Sequence, residues 1–118
     1  MATVASKKTR VAVLLPTKMR AEMLECVLWD GYGMRGKSRW IAEAVADLLA
    51  HREWLATAET GEGLVSSPAH EVVYLESALK ERMEAAVLDM RKRHPMMEGP
   101  QSAIIRGAIT RRLLRSPK

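Results

Sequence analysis

The stretch that decides the fold is Arg10-Val11-Ala12-Val13-Leu14-Leu15-Pro16. Its side chains alternate, with Val11, Val13 and Leu15 on one face, which is the period of two expected of a β-strand. Pro16 predicts the end of this strand, because proline lacks the N–H of a strand ladder and suits the first turn of a helix. The sequence therefore predicts a short strand that passes directly into a helix.

Two amphipathic helices are predicted after this strand. Apolar residues recur at helical spacing from Met19 to Val27 and again from Ile41 to Leu49. Between them, residues 30–36 (DGYGMRG) hold three glycines, which favour a turn because glycine adopts positive φ at little cost. Ser38 is predicted to cap the second helix, and this helix is expected to continue towards Ala58.

The same order of elements returns later in the chain. Residues 59–69 mix glycine, serine and proline without periodicity and are predicted to form a linker. A β-prone hexamer, His70–Leu75, then precedes a helical stripe, a charged turn that contains proline, and a final helix predicted to start at Ser102. The second half of the chain therefore repeats the first, with Leu15 corresponding to Leu75.

The repeat sets the predicted domain organisation. A chain of 118 residues is long enough for one compact domain of ordinary size and too short for two. We expect a single domain over residues 1–118, made of a first unit at 9–58, the linker, and a second unit at 70–115. Residues 1–8 are predicted to form a flexible basic arm before the first unit.

Composition favours helices and a cytoplasmic protein. The chain is 47% hydrophobic but only 4% aromatic, with 8 Met and no Phe, a mixture that suits helical cores better than sandwiches of sheets. No run approaches the ~18 apolar residues that a membrane span needs, and no apolar stretch of signal-peptide type follows the N-terminal lysines. The single cysteine, Cys26, has no partner in the chain and is expected in the core, which fits a reducing compartment.

Positive charge is concentrated at the two ends of the chain. The net charge is +5; residues 1–20 hold five Lys/Arg and no acid, residues 91–118 hold eight against one acid, and residues 21–90 hold six against thirteen. Such a distribution is typical of a protein that binds a polyanion, because neutralising phosphates releases counterions. Two solvated basic termini would give the same pattern, so charge alone leaves both interpretations open.

Taken together, these residues resemble the Arc/MetJ/CopG ribbon-helix-helix superfamily. The resemblance rests on the alternating strand, on Leu15-Pro16 entering the first helix, on the glycine turn, and on Gly36-Lys37-Ser38-x-x-Ile41-x-x-x-Val45 at the second helix. A lone strand is unstable because its backbone groups need a partner, and the two units supply two strands. The predicted fold is mainly α with a short two-stranded antiparallel ribbon, a tandem ribbon-helix-helix (β-α-α, β-α-α) pseudo-dimer.

The resemblance implies a surface that contacts DNA bases. A two-stranded ribbon fits the major groove of B-DNA, where its outer side chains reach base edges. In the superfamily, the strand residues that face away from the helices contact bases. The matching positions here are Arg10, Ala12, Leu14, His70, Val72 and Tyr74. Three of them are apolar where the superfamily is usually polar, and these are expected to contact thymine methyl groups.

The resemblance also implies phosphate contacts at the start of the second helix of each unit. Free backbone N–H groups and the positive end of the helix dipole favour anions there. The predicted phosphate contacts are Lys8, Lys37, Ser38, Arg39, Gln101, Ser102 and Arg106. Ser38 and Ser102 are expected to be helix N-caps as well.

The predicted function is sequence-specific binding of double-stranded DNA. The expected role is that of a transcriptional regulator, such as a repressor, or of an accessory protein of a plasmid or mobile element, since tandem fusions are similar to the TraY-type accessory proteins of plasmid conjugation. One chain would supply both halves of the usual dimer, so we expect a monomer with an internal pseudo-two-fold axis that has room for further assembly on DNA. No membrane partner is expected.

Other classes of function find less support in the sequence. The three histidines are far apart and have no cysteine or carboxylate at metal-ligand spacing, and no glycine-rich phosphate loop follows a strand, so we expect no enzyme, metal or cofactor. The alternative is a non-enzymatic helical interaction module, an adaptor with basic termini. The two interpretations differ in the fate of Arg10 and Tyr74, which are exposed on a ribbon in the first and buried in a core or interface in the second.

Overall fold

A computed structural model describes residues 7–61 and 68–115 of the protein. Its elements, in chain order, are β1 (Lys8–Pro16), α1 (Thr17–Trp29), α2 (Lys37–Leu49), α3 (Trp54–Glu59), β2 (Pro68–Glu76), α4 (Ser77–Arg93) and α5 (Pro100–Arg115). A 3-10 turn, Met34–Gly36, leads into α2. The prediction of a mainly helical protein with one two-stranded antiparallel sheet is confirmed. In the described ranges, no helix has the length and apolar character needed to span a membrane.

The sheet is a ribbon of β1 and β2 with one packed face. The strands pair so that Ala12 lies opposite Val72. Burial alternates along both strands, as predicted, and the apolar residues of the packed face are each 3% exposed or less: Val11, Val13, Leu15, Val73 and Leu75. This face closes the core from one side, which gives each strand the tertiary support that an isolated two-stranded ribbon lacks in water.

The ribbon begins earlier than the sequence predicted. β1 starts at Lys8, and the Lys7 carbonyl accepts hydrogen bonds from the backbone N–H and the hydroxyl of Ser77, at 3.1 and 2.9 Å. Part of the predicted basic arm therefore belongs to the fold, while residues 1–6 lie outside the described residues. Most of the predicted linker, residues 62–67, also lies outside them.

Helix α5 lies at the centre of the helical layer. It packs against the four other helices, and every residue from Ala103 to Ile109 is buried. A helix that is buried all round needs small residues where its neighbours approach closely. Gly107 is one of these: a Cβ there would lie 2.8 Å from the Thr57 carbonyl oxygen of α3. The close approach of α3 to α5 therefore depends on this glycine.

The prediction that α2 continues towards Ala58 is wrong. α2 ends at Leu49, and a separate helix, α3, begins at Trp54. The break redirects the chain so that α3 packs on α5, where Ala58 is fully buried. Apolar residues keep their helical spacing across the break because both helices face the same core. The pattern of apolar residues therefore does not reveal where α2 ends.

The predicted capping roles of Ser38 and Ser102 are also wrong. α2 starts at Lys37 after Gly36, without a side-chain cap, and the Ser38 hydroxyl instead accepts the Tyr74 backbone N–H of β2 at 3.1 Å. α5 starts at Pro100, which places Ser102 third in the helix. Proline suits that first position because it brings no N–H that would need a cap.

Candidate nucleic-acid interface

The predicted base-contacting residues share one side of the ribbon. We call this side the outer face; it carries Arg10, Ala12, Leu14, His70, Val72 and Tyr74. Across the two strands, Arg10 lies opposite Tyr74 and Leu14 lies opposite His70. Val72 is half-buried, and the other five side chains are exposed, including Leu14 at 37% and Tyr74 at 48%. The fold therefore brings all six residues together and leaves them facing away from the core.

Positive charge lies at one end of the outer face. Lys8 and Arg10 are both exposed on β1, and Glu76 lies opposite Lys8. Neither cation makes an ion pair within 4.0 Å with a described residue. At the other end of the face lie Leu14 and His70, and neither is a lysine or an arginine. The outer face is thus asymmetric in charge along its length.

The start of α2 is fixed beside the ribbon. The hydrogen bond from Tyr74 N–H to Ser38 joins the first turn of α2 to the edge of β2. Arg39, whose side chain is 68% exposed, lies with its guanidinium 4.4 Å from the centre of the Tyr32 ring and 3.9 Å from a Glu43 carboxylate oxygen. Of the residues predicted to bind phosphate, Ser38 and Arg39 therefore lie next to Tyr74, one of the residues predicted to contact bases.

Lys37 has a partner that the sequence did not indicate. Its ammonium forms an ion pair with Glu71, which is only 4% exposed on the packed face of β2, and Arg20 Nε approaches the same carboxylate at 2.8 Å. Burial alone would raise the pKa of Glu71, but the hydrogen bonds from Lys37 and Arg20 outweigh it and hold this pKa below its usual value. Glu71 is thus an ionised anchor for α1 and α2, and Lys37 is oriented by it.

The glycine turn before α2 is held by an arginine of α5. Gly31 and Gly33 adopt φ of 82° and 70°, a region that other residues rarely adopt. Arg112 donates to the Trp40 carbonyl at 2.8 Å and to the Tyr32 hydroxyl at 3.0 Å, and it lies 4.5 Å from the Trp40 ring. The Trp40 indole N–H donates to Asp30 at 2.8 Å. These contacts fix the turn that aims the start of α2 at the ribbon.

Arg106 is not positioned to contact a phosphate, contrary to the prediction. It is 8% exposed, and its guanidinium donates to the Gly61 carbonyl at 2.7 Å and to the Leu14 carbonyl at 3.0 Å. Burial lowers the pKa of Arg106, yet an arginine stays protonated in proteins. The side chain is enclosed because Gly61 packs on α5 so closely that a Cβ there would overlap the Ala103 carbonyl oxygen.

The remaining predicted contacts of the second unit lie in the first turn of α5. Gln101 and Ser102 are both half-buried, and the Gln101 side-chain oxygen accepts a hydrogen bond from Lys80 at 3.3 Å. The Ser38 hydroxyl joins α2 to β2, whereas the Arg106 guanidinium joins α5 to β1 by donating to a carbonyl of that strand. The starts of α2 and α5 therefore meet the ribbon in different ways.

Much of the positive charge at the C-terminal end binds acids within the protein. Arg111 and Arg115 pair with Asp47 of α2 at 3.2 and 2.6 Å, and Arg112 lies 3.4 Å from Glu43. From the sequence, either a polyanion or solvent was the expected partner of this charge. The structure adds a third partner, the acidic middle of the chain.

Comparisons with protein-family models, with curated proteins and with solved structures find no match to this chain. The candidate site is therefore defined by its own geometry: a ribbon with one packed face, one exposed face, and cations at one end.

Proposed function

We propose that this protein binds double-stranded DNA sequence-specifically by inserting the outer face of its ribbon into the major groove. We further propose that it is a tandem ribbon-helix-helix protein whose single chain supplies both halves of the usual dimer. The observation that carries the proposal is the outer face itself, where Arg10 and Tyr74 lie opposite each other and are exposed. An antiparallel ribbon with such side chains has the width and the donors to read base edges.

The register of the ribbon supports the tandem arrangement. The sequence offset that aligns Leu15 with Leu75 also aligns Ala12 with Val72, and these two residues face each other across the ribbon. A residue that pairs with its own equivalent marks the position of a two-fold axis. The order β1-α1-α2 followed by β2-α4-α5 is consistent with such an axis, with α3 as an addition to the first unit.

The exposure of the outer face favours DNA over the alternative of a helical interaction module. That alternative expects Arg10 and Tyr74 in a core or in an interface with a partner protein. Their exposure in the folded chain excludes the core placement, and the positive charge of Lys8 and Arg10 favours a polyanion over a protein as the partner of this face. As a cellular role, we propose transcriptional regulation or an accessory function on a plasmid or mobile element. Gene neighbourhood would separate these two roles.

In this proposal, the outer face contacts bases, whereas Lys8 and the start of α2 contact phosphates. Arg10 is the one residue of the outer face that can donate two parallel hydrogen bonds to guanine O6 and N7. Lys8 and Arg39 contact phosphates and set the register. Gln101 and Ser102 contribute less, because Arg106 beside them is enclosed.

The test compares specific and random DNA. A preferred duplex is selected from a random-sequence library, and its affinity and that of a random duplex are measured by fluorescence anisotropy over a range of salt. Arg10→Ala should weaken binding to the selected duplex by about 1–3 kcal/mol, and binding to random DNA much less. Arg52→Ala is the matched control, since Arg52 is exposed beyond the far end of α2, about 20 Å from the helix start that meets the ribbon.

Two results would contradict the proposal. If Arg10→Ala weakens both duplexes by the same factor, the ribbon does not read bases. If no duplex binds even at low salt, where the electrostatic contribution is largest, the protein does not act on DNA.

A further inference from the structure

The outer face contains an uninterrupted apolar area. Ala12 and Val72 face each other at the middle of the ribbon, and Leu14 is the next outward residue along β1. We call these three residues the apolar centre. Ala12 and Leu14 are exposed, Val72 is half-buried, and all three lie on the side opposite the core.

The apolar centre lies to one side of the charged end. Arg10 and Tyr74 flank it on one side, whereas His70 lies beside Leu14 on the other. Packing in the core does not explain why the residues of the apolar centre are apolar, because the packed face already has its own five apolar residues, each 3% exposed or less. At this end of the ribbon, Lys8 and Arg10 carry two positive charges against one carboxylate, that of Glu76 opposite Lys8. This excess of positive charge favours a polyanion as the molecule that covers the face.

We infer that the apolar centre binds the 5-methyl groups of thymines, in A·T pairs that lie to one side of the guanine bound by Arg10. This inference rests on the proposed function, and it names the base composition of the site. Thymine is the only base that presents a methyl group in the major groove. A guanine or cytosine edge placed against the apolar centre would lose its water without gaining a hydrogen bond, which disfavours G·C pairs there.

The spacing of the strand orders these contacts along the duplex. Outward residues two positions apart are separated by about 6.6 Å, and base pairs rise by about 3.4 Å along the DNA axis. Because a ribbon in the groove is inclined to this axis, each outward residue advances the contact by at most about two base pairs. The guanine contacted by Arg10 should therefore be followed by a thymine contacted at Ala12, at most about two base pairs away, and by one contacted at Leu14, at most about four base pairs away. Val72 of β2 lies directly opposite Ala12, close enough to contact the same base pair from the side of the other DNA strand.

The experiment replaces single thymines of the selected duplex by deoxyuridine, which removes only the 5-methyl group. Binding of the full-length protein is measured by fluorescence anisotropy. Each replacement opposite the apolar centre should weaken binding about fourfold, the equivalent of about 0.8 kcal/mol for one buried methyl group. Replacements elsewhere in the duplex should leave the affinity unchanged.

A double-mutant cycle assigns the contact to a residue. In Leu14→Ala, the effect of deoxyuridine at the position contacted by Leu14 should disappear, because the methyl group no longer has a side chain to pack against. Leu28→Ala is the control: Leu28 is 54% exposed on α1, away from the ribbon, and the effect should persist in it.

The outcomes separate this inference from the proposed function. If the duplex binds and loses affinity on Arg10→Ala, but no deoxyuridine substitution has an effect, the inference is wrong and the proposed function stands. If the selected sites contain G·C pairs opposite the apolar centre, the inference is likewise wrong. If no duplex is bound at all, both are wrong.

Discussion

Glu71 lies directly opposite Val13 on the packed face of the ribbon, so a carboxylate occupies a position where the neighbouring inward residues are apolar. Its partners come from two helices, Arg20 from α1 and Lys37 from the first residue of α2. A buried carboxylate is stable only when it is paired, and these two cations provide that pairing. The ion pairs therefore tie α1 and α2 to β2 at the point where the candidate interface is assembled.

Replacing this carboxylate should change how stability depends on pH. The pKa of Glu71 is held below its usual value in the folded state, so its ionisation stabilises the fold above the unfolded pKa of about 4.3, and this contribution is lost as the pH falls through the folded pKa. Glu71→Gln should cost about 1–3 kcal/mol at pH 7, and the difference from the unmodified protein should shrink below about pH 4. Urea unfolding at several pH values measures it.

The control for this experiment is Asp47→Asn. The hydrogen bond from Arg115 lowers the pKa of Asp47 as well, but its side chain is 52% exposed and screened by solvent, so the expected loss is within about 0.5 kcal/mol. A Glu71→Gln deficit that stays constant from pH 7 to pH 3 would show that the charge of Glu71 does not stabilise the fold.

Lys37 and Arg39 were both predicted to bind phosphate, but we expect Lys37 to contribute more than Arg39 to the stability of the fold. Lys37→Ala removes a partner of buried Glu71 and should lower the free energy of unfolding by about 1–2 kcal/mol. Arg39→Ala removes an exposed guanidinium and should cost about 0.5–1 kcal/mol at most, through its contact with the Tyr32 ring. On DNA, Arg39→Ala should reduce the log–log salt slope by about 0.9, because one phosphate is no longer neutralised. If Arg39→Ala lowers the free energy of unfolding and Lys37→Ala does not, the stabilising role belongs to Arg39 and not to Lys37.

Arg106 should contribute to the free energy of unfolding but not to the salt dependence of DNA binding. Arg106→Met leaves the carbonyls of Gly61 and Leu14 without their donor, and the free energy of unfolding should fall by about 1–3 kcal/mol. The salt slope of DNA binding should stay the same, because the guanidinium is enclosed. Arg91→Met, on the exposed surface of α4, is the matched control and should leave stability unchanged. A reduced salt slope in Arg106→Met would return this residue to the set of phosphate contacts.

The protein should fold as a monomer, because both strands of the ribbon belong to one chain and pair within it. Sedimentation equilibrium should find monomers at about micromolar concentrations, and the midpoint of thermal unfolding should not depend on protein concentration. A midpoint that rises with concentration would indicate that two chains exchange strands.

The sequence was most informative where one pattern determines one structure. Alternation from Val11 to Leu15 predicted the strand and its packed face, and Pro16 predicted its end, because both signals act locally and have few alternative outcomes. The positions of the six outward residues followed from the same alternation. Their pairing partners did not, since register is fixed only when two strands meet.

Other features depend on contacts between distant parts of the chain and left no local signal. The helix break before Trp54 exists because α3 packs on α5 through Gly107, and the periodicity of the apolar residues does not record it. The burial of Arg106 depends on carbonyls 45 and 92 residues away. Glu71 left one signal that was missed: a carboxylate at an inward position of an alternating strand implies a cation nearby.

The pairing of Ala12 with Val72 also has a genetic consequence. In a ribbon formed by two identical chains, a single mutation changes the equivalent residue in both strands and therefore alters two contacts at once. Here each strand has its own codons, so in the proposed DNA complex a single mutation would change the contacts of one strand and leave those of the other strand in place. Under the proposed function, the two halves of the DNA site would evolve by separate single mutations, and the site need not be palindromic.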